Sequence, residues 1–115
     1  MTNDKEMEQK IAEVGANIVP RVTAWEIDSL MESLTYQSWI VPNTTCTVVA
    51  SIMPDGFVLA LGQSASTSKE NFNAQIGYEI AMQNCTAASR NKLWELEGYA
   101  LKKALTSGSE AHYPI

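Results

Sequence analysis

Five residues carry the polar chemistry that could receive a ligand: Asn71, Phe72 and Asn73 in a row, and Arg90 with Asn91 further along. Backbone N–H groups at a helix start, joined by two side-chain amides, can hold a phosphate or a ribose. A phenyl ring can stack on a purine, and a guanidinium adds charge and a fork of donors. The same residues also fit a plainer role, with the asparagines satisfying local backbone groups and Arg90 exposed. On residue types and spacing alone that role is favoured. The rest of the inventory argues against catalysis. The single histidine, His112, removes most imidazole-based arrangements, and it lies in a tail, Ser107 to Ile115, expected to be frayed. Cys46 and Cys85 are far apart without a CxxC spacing and read as small core residues, not a disulfide framework or a zinc site. Glu95 and Glu97, two apart on a helix, point to different faces and make a poor acid–base pair. No enzyme activity, metal or cofactor is expected.

At 115 residues, 45% hydrophobic and 18% charged, the chain is read as one domain. Residues 1–20 form an N-terminal helical extension, 21–106 the core and 107–115 a flexible tail. No apolar run reaches the roughly 20 residues of a membrane span, and Met1 to Glu6 lack the basic and apolar parts of a signal peptide, so a cytosolic protein is expected. The net charge of −5 is uneven: residues 1–35 hold seven acids against three bases, and residues 71–115 hold four of each. Without a Lys/Arg cluster, DNA is not an expected partner, whereas a small anion held by one or two arginines is compatible with this balance.

The elements that must position these residues follow from periodicity. Met7, Ile11, Val14 and Ile18 recur at helical spacing and predict an amphipathic helix over Asp4 to Ile18. Thr23 and Glu26 have the spacing of a capping box and open a second helix with the stripe Ile27, Leu30, Met31 and Leu34. Tyr36 to Val41 reads as a strand. Thr45 to Met53 and Phe57 to Gly62 read as a hairpin turned by Pro54-Asp55-Gly56, in which Asp55 is assigned to turn chemistry. Ser64 to Ser68 is a polar loop, after which Thr67 with Glu70, or Ser68, caps a long helix that places Asn71 to Asn73 just inside its start. Ile76, Ile80, Leu93, Trp94, Leu96, Leu101 and Leu105 give that helix its apolar faces, with Cys85 to Ser89 either a bend or a thin contact surface. Trp25 and Trp39 are assigned to the core, Trp94 to the core or an interface, and Gly98 to a close approach of another element. The fold class is α+β: a small antiparallel sheet of about three strands, N-terminal helices and a long C-terminal helix.

Five segments, Thr45-Cys46-Thr47-Val48-Val49, Pro54-Asp55-Gly56-Phe57, Gly62-Gln63-Ser64-Ala65, Asn71 to Gly77 and Asn91 to Tyr99, resemble the small tailed-phage proteins of the gene-49/gene-66 family over Val22 to Leu105. Ser66-Thr67-Ser68-Lys69 stands where that family usually has Cys-Val-Asp-Pro, Asn73 where it often has Asp, and about four extra residues fall near Thr86 to Ser89. The family includes the first-type Thoeris anti-defence proteins. The resemblance therefore implies a phage protein in the host cytoplasm that sequesters a cyclic ADP-ribose isomer without cleaving it, with cyclic oligonucleotides as further candidate ligands. It implies a homo-dimer or higher homo-oligomer with pockets between subunits, and Asn71, Phe72, Asn73, Arg90 and Asn91 as the pocket candidates. The competing reading is an interaction protein that inhibits a host protein through its acidic N-terminal helix, with Glu6, Glu8 and Glu13 as the contact.

Overall fold

The computed structural model of the protein describes residue 5 and residues 20–108. The helix expected over residues 4–18 therefore lies, apart from Lys5, outside the described residues. The chain divides into two compact units: residues 31–92 make one, and the other joins described residues before 31 to those after 92. In order, the elements are α1 (Ala24–Glu32), β1 (Thr35–Ile40), β2 (Cys46–Ile52), β3 (Val58–Ala65) and α2 (Ala74–Gly108). This is the expected α+β class.

Local chemistry accounts for most boundaries. At α1, Glu26 N–H donates to Thr23 Oγ1 (3.2 Å) and Thr23 N–H donates to Glu26 Oε1 (3.3 Å), the two reciprocal bonds of a capping box. In the hairpin turn Gly56 takes a φ of 94°, and Asp55 Oδ1 accepts from Phe57 N–H at 3.0 Å, so Asp55 is a turn residue. The sheet order is β1-β2-β3, antiparallel throughout. β3 runs to Ala65, three residues beyond the expected end. Gln63, Ser64 and Ala65 look like loop by composition, but each has a partner on β2, in Val48, Thr47 and Cys46.

The register puts Thr47, Val49 and Ser51 of β2 beside Ser64, Gly62 and Ala60 of β3 and beside Ile40, Ser38 and Tyr36 of β1, all on one face. Against that face α2 lays a stripe of small residues at spacings of four: Gly77, Ala81, Cys85 and Ser89. A Cβ on Gly62 would overlap Cys85 N and Ala81 O and lie 2.7 Å from Cys85 Cα, so the helix backbone rests directly on β3. Val49, Ala81 and Cys85 form the buried centre, with Tyr36 and Met82 packed against it. Two buried hydroxyls pair across the same contact. Ser89 Oγ donates to Cys85 O (2.7 Å), leaving Ser51 Oγ to donate to Ser89 Oγ (2.7 Å) and to accept from Ala60 N–H (3.2 Å), which gives each hydroxyl proton one acceptor.

α2 is continuous through Thr86 to Ser89, so of the two readings of that stretch the thin contact surface holds, with Cys85 and Ser89 turned to the sheet. Other expectations are overturned. Ile76 and Ile80 are 55% and 44% exposed, because a backbone in contact with the sheet leaves room beneath it only for small side chains. Trp25 and Trp39 are 57% and 46% exposed and so are not core residues, whereas Trp94 is half-buried. Gly98 has nothing within 4 Å of its Cβ position, and the close approach assigned to it belongs to Gly62. Cys85 is buried and Cys46 half-buried, both as free thiols.

The two glycines are expected to respond oppositely in urea unfolding. Gly62→Ala should cost about 3 kcal/mol or more, since backbone atoms cannot move aside as a side chain can. Gly98→Ala should raise stability by about 0.5–1 kcal/mol through helix propensity alone.

Candidate functional site

The segment between β3 and α2 is built by turns. Asn71 N–H donates to Ser68 O (3.3 Å) and Phe72 N–H to Lys69 O (3.1 Å), while Thr45 Oγ1 ties the segment to the sheet through Ser66 O at 2.8 Å. The helix then opens one residue after Asn73, whose Oδ1 accepts from Ile76 N–H at 3.0 Å. Asn73 is the N-cap, displacing the expected caps Thr67 and Ser68, so Asn71 to Asn73 precede the helix and do not lie inside it. The amides of Ala74 and Gln75 in the first turn are left without an intrahelical partner and face the positive end of the helix dipole.

Phe72 is half-buried at this helix start, its Cε1 3.7 Å from the Gly77 Cβ position, and the flanking Asn71 and Asn73 are exposed. Gly77 lies close to the sheet here. A Cβ would stand 3.0 Å from Thr47 Oγ1, and Gly77 O accepts from Ser64 Oγ at 2.7 Å, which pins the first turn to β2 and β3 together. Thr47 Oγ1 itself is buried without a hydrogen-bond partner.

Arg90 and Asn91 are not brought to this place. Arg90 lies sixteen residues beyond Ala74, about 24 Å along the axis at 1.5 Å per residue, so one copy of the chain cannot close both groups around one small molecule. Arg90 is half-buried and Asn91 exposed. Between the two groups, on the side of α2 turned away from the sheet, Ile76, Ile80, Gln83, Ala87 and Arg90 follow at spacings of four, three, four and three. The exposed isoleucines of this stripe lie on the same outward face as Arg90.

A second concave surface lies wholly in the other unit, an open groove of about 470 Å³ lined by Trp25, Glu26, Ser29, Leu30 and Glu97. Beside it, Lys5 Nζ stands 6.0 Å from the Trp25 ring centroid and 3.1 Å from Asp28 Oδ2. The sequence does not reveal this surface, because Trp25 reads as a core residue and Glu97 is distant in the chain. Among the described residues, no group of three or more His, Cys, Asp and Glu side chains could hold a metal ion, and no helix is long and apolar enough to cross a membrane.

The model of the family described as phage protein (N4 Gp49/phage Sf6 gene 66) matches residues 22–105. No curated protein and no solved structure is significantly similar to the chain.

The reassigned cap is checked by thermal unfolding of two variants. Asn73→Ala should destabilise the protein by about 0.5–2 kcal/mol, the value of a helix N-cap, and Thr67→Ala should leave stability within about 0.5 kcal/mol of the parent.

Proposed function

The chain belongs to the phage protein family of N4 Gp49 and phage Sf6 gene 66, and we propose that it acts in the host cytoplasm as an anti-defence protein that binds and withholds a cyclic nucleotide signal. The ligand is a cyclic ADP-ribose isomer, with cyclic oligonucleotides as further candidates, and it is held without being cleaved. Binding needs donors for phosphate and ribose and a ring for the base. The open amides at the start of α2, the side chains of Asn71 and Asn73, and the half-buried Phe72 supply these from one copy.

The observation that carries the reading is the exposed stripe on α2, centred midway between the two groups of candidate residues. An antiparallel pairing of α2 with a second copy, centred between Ala81 and Met82, sets Asn73 opposite Arg90 of that copy and Phe72 opposite its Asn91. The same pairing sets Ile76 opposite Ala87 and Ile80 opposite Gln83, which covers the exposed isoleucines. Each pocket then takes its helix start from one subunit and its arginine from the other. Thoeris inhibition is the biological role this chemistry serves in the proposal.

Calorimetric titration with cyclic ADP-ribose isomers tests it. Tight binding with the ligand recovered intact is expected, and Arg90→Ala should weaken it by about 1–3 kcal/mol, a lost charge-assisted hydrogen bond. Asn71→Ala should also weaken binding. Mixed and re-equilibrated, the two variants should regain parental affinity in about a quarter of the pockets, since each mixed dimer restores one intact pair. Mixing without recovery would rule out a pocket shared between copies, and recovery of a cleaved ligand would rule out sequestration.

A further inference from the structure

The two edges of the sheet are treated differently. On β3, Asn84 Nδ2 donates to the Gln63 carbonyl at 2.9 Å, and the β2–β3 ladder carries a register shift at Ser51/Ile52. Both features interrupt an edge that could otherwise accept another strand. On β1, Thr35-Tyr36-Gln37-Ser38-Trp39-Ile40 pairs with β2 through six consecutive positions without a shift, so the strand is regular. It contains no charged residue, proline or glycine, and every residue but Tyr36 is exposed. Among the described residues, no backbone hydrogen bond reaches its outer side.

Charge decides what can pair there. No charged residue occurs between Glu32 and Asp55, a gap spanning β1 and β2, in a chain whose net charge is −5. Two copies meeting along β1 therefore bring no like charges of the two strands together. We infer that β1 pairs antiparallel with β1 of a second copy about a two-fold axis, joining two three-stranded sheets into one of six strands. In such a pairing each outward N–H and C=O finds its counterpart on the identical strand. Registers that preserve the faces place Tyr36, Ser38 and Ile40 among the same set, and Gln37 and Trp39 among theirs. The exposed apolar side chains Trp39 and Ile40 are thereby covered on opposite faces. A single lysine or glutamate in β1 would face its own copy, and none is present. This interface is separate from the α2 stripe and does not rest on the proposed ligand.

Backbone amide exchange of the full chain, measured at submicromolar and at several hundred micromolar protein, tests the inference. Alternate amides within residues 35–40 should slow by about tenfold or more at the higher concentration, as edge N–H groups become paired. Gln37→Lys, on the face turned away from α2, should abolish that concentration dependence with an unchanged melting temperature. Exchange of β1 amides that is independent of concentration would overturn the pairing, as would protection that persists unchanged in Gln37→Lys. Self-association without β1 protection would overturn it too, and would assign the contact to another surface. Should Gln37→Lys fold poorly, the exchange of the unaltered chain still decides.

Discussion

The contact on which the sheet-bearing unit depends is the one between Gly62 and the backbone of α2 at Ala81 and Cys85. A helix usually stands off a sheet by the thickness of its side chains, but here the two backbones touch, and the neighbours must conform. Gly77, Ala81, Cys85 and Ser89 are small for this reason, and each meets a defined place on the sheet. The match also fixes the helix along its axis. A slip of one turn would bring the Cβ of Ala81 towards Thr47 and separate Ser89 from Ser51, breaking the hydrogen bond between their buried hydroxyls, worth about 0.5–1.5 kcal/mol. The fixed register holds Asn73 and Phe72 beside the end of β3.

This explains what could be read from residue types and what could not. The α1 capping box, the Pro54-Asp55-Gly56 turn and the paired apolar runs of the hairpin are short-range signals whose partners lie within a few residues, and they appear in the structure as expected. Hydrophobic size is a poor measure of burial on this helix, and it selects the wrong face. Where backbones touch, alanine, cysteine and serine are buried, and isoleucine is turned outward. Gly98 drew attention through its cost to helix propensity, whereas Gly62, in an apolar strand, gave no such signal although its contacts lie nineteen and twenty-three residues away.

The candidate site shows the same division. The types of Asn71, Phe72, Asn73, Arg90 and Asn91 were legible, and so was the presence of a helix start near them. Their separation was not, because it depends on α2 being unbroken through Cys85 to Ser89. A bend there could have returned Arg90 towards Asn71. Cys85 and Ser89 of that stretch are seated on the sheet, and straight continuation follows from their contact.

Turning the small stripe inward has a second effect, since it obliges the larger aliphatic residues of α2 to face away from the sheet. The inferred pairing through β1 lies in the plane of the sheet, whereas the proposed pairing through α2 lies above it, so a copy bound at one surface does not occupy the other. Both contacts are isologous. Two different two-fold contacts on one chain either close into a tetramer, when their axes are mutually perpendicular and intersect, or extend as an open array. The proposed stoichiometric binding requires the protein to remain dispersed, which favours the closed arrangement. In that arrangement the charge-free β1 and the aliphatic face of α2 are both withdrawn from solvent, and neither contact buries a carboxylate of its own element's paired face.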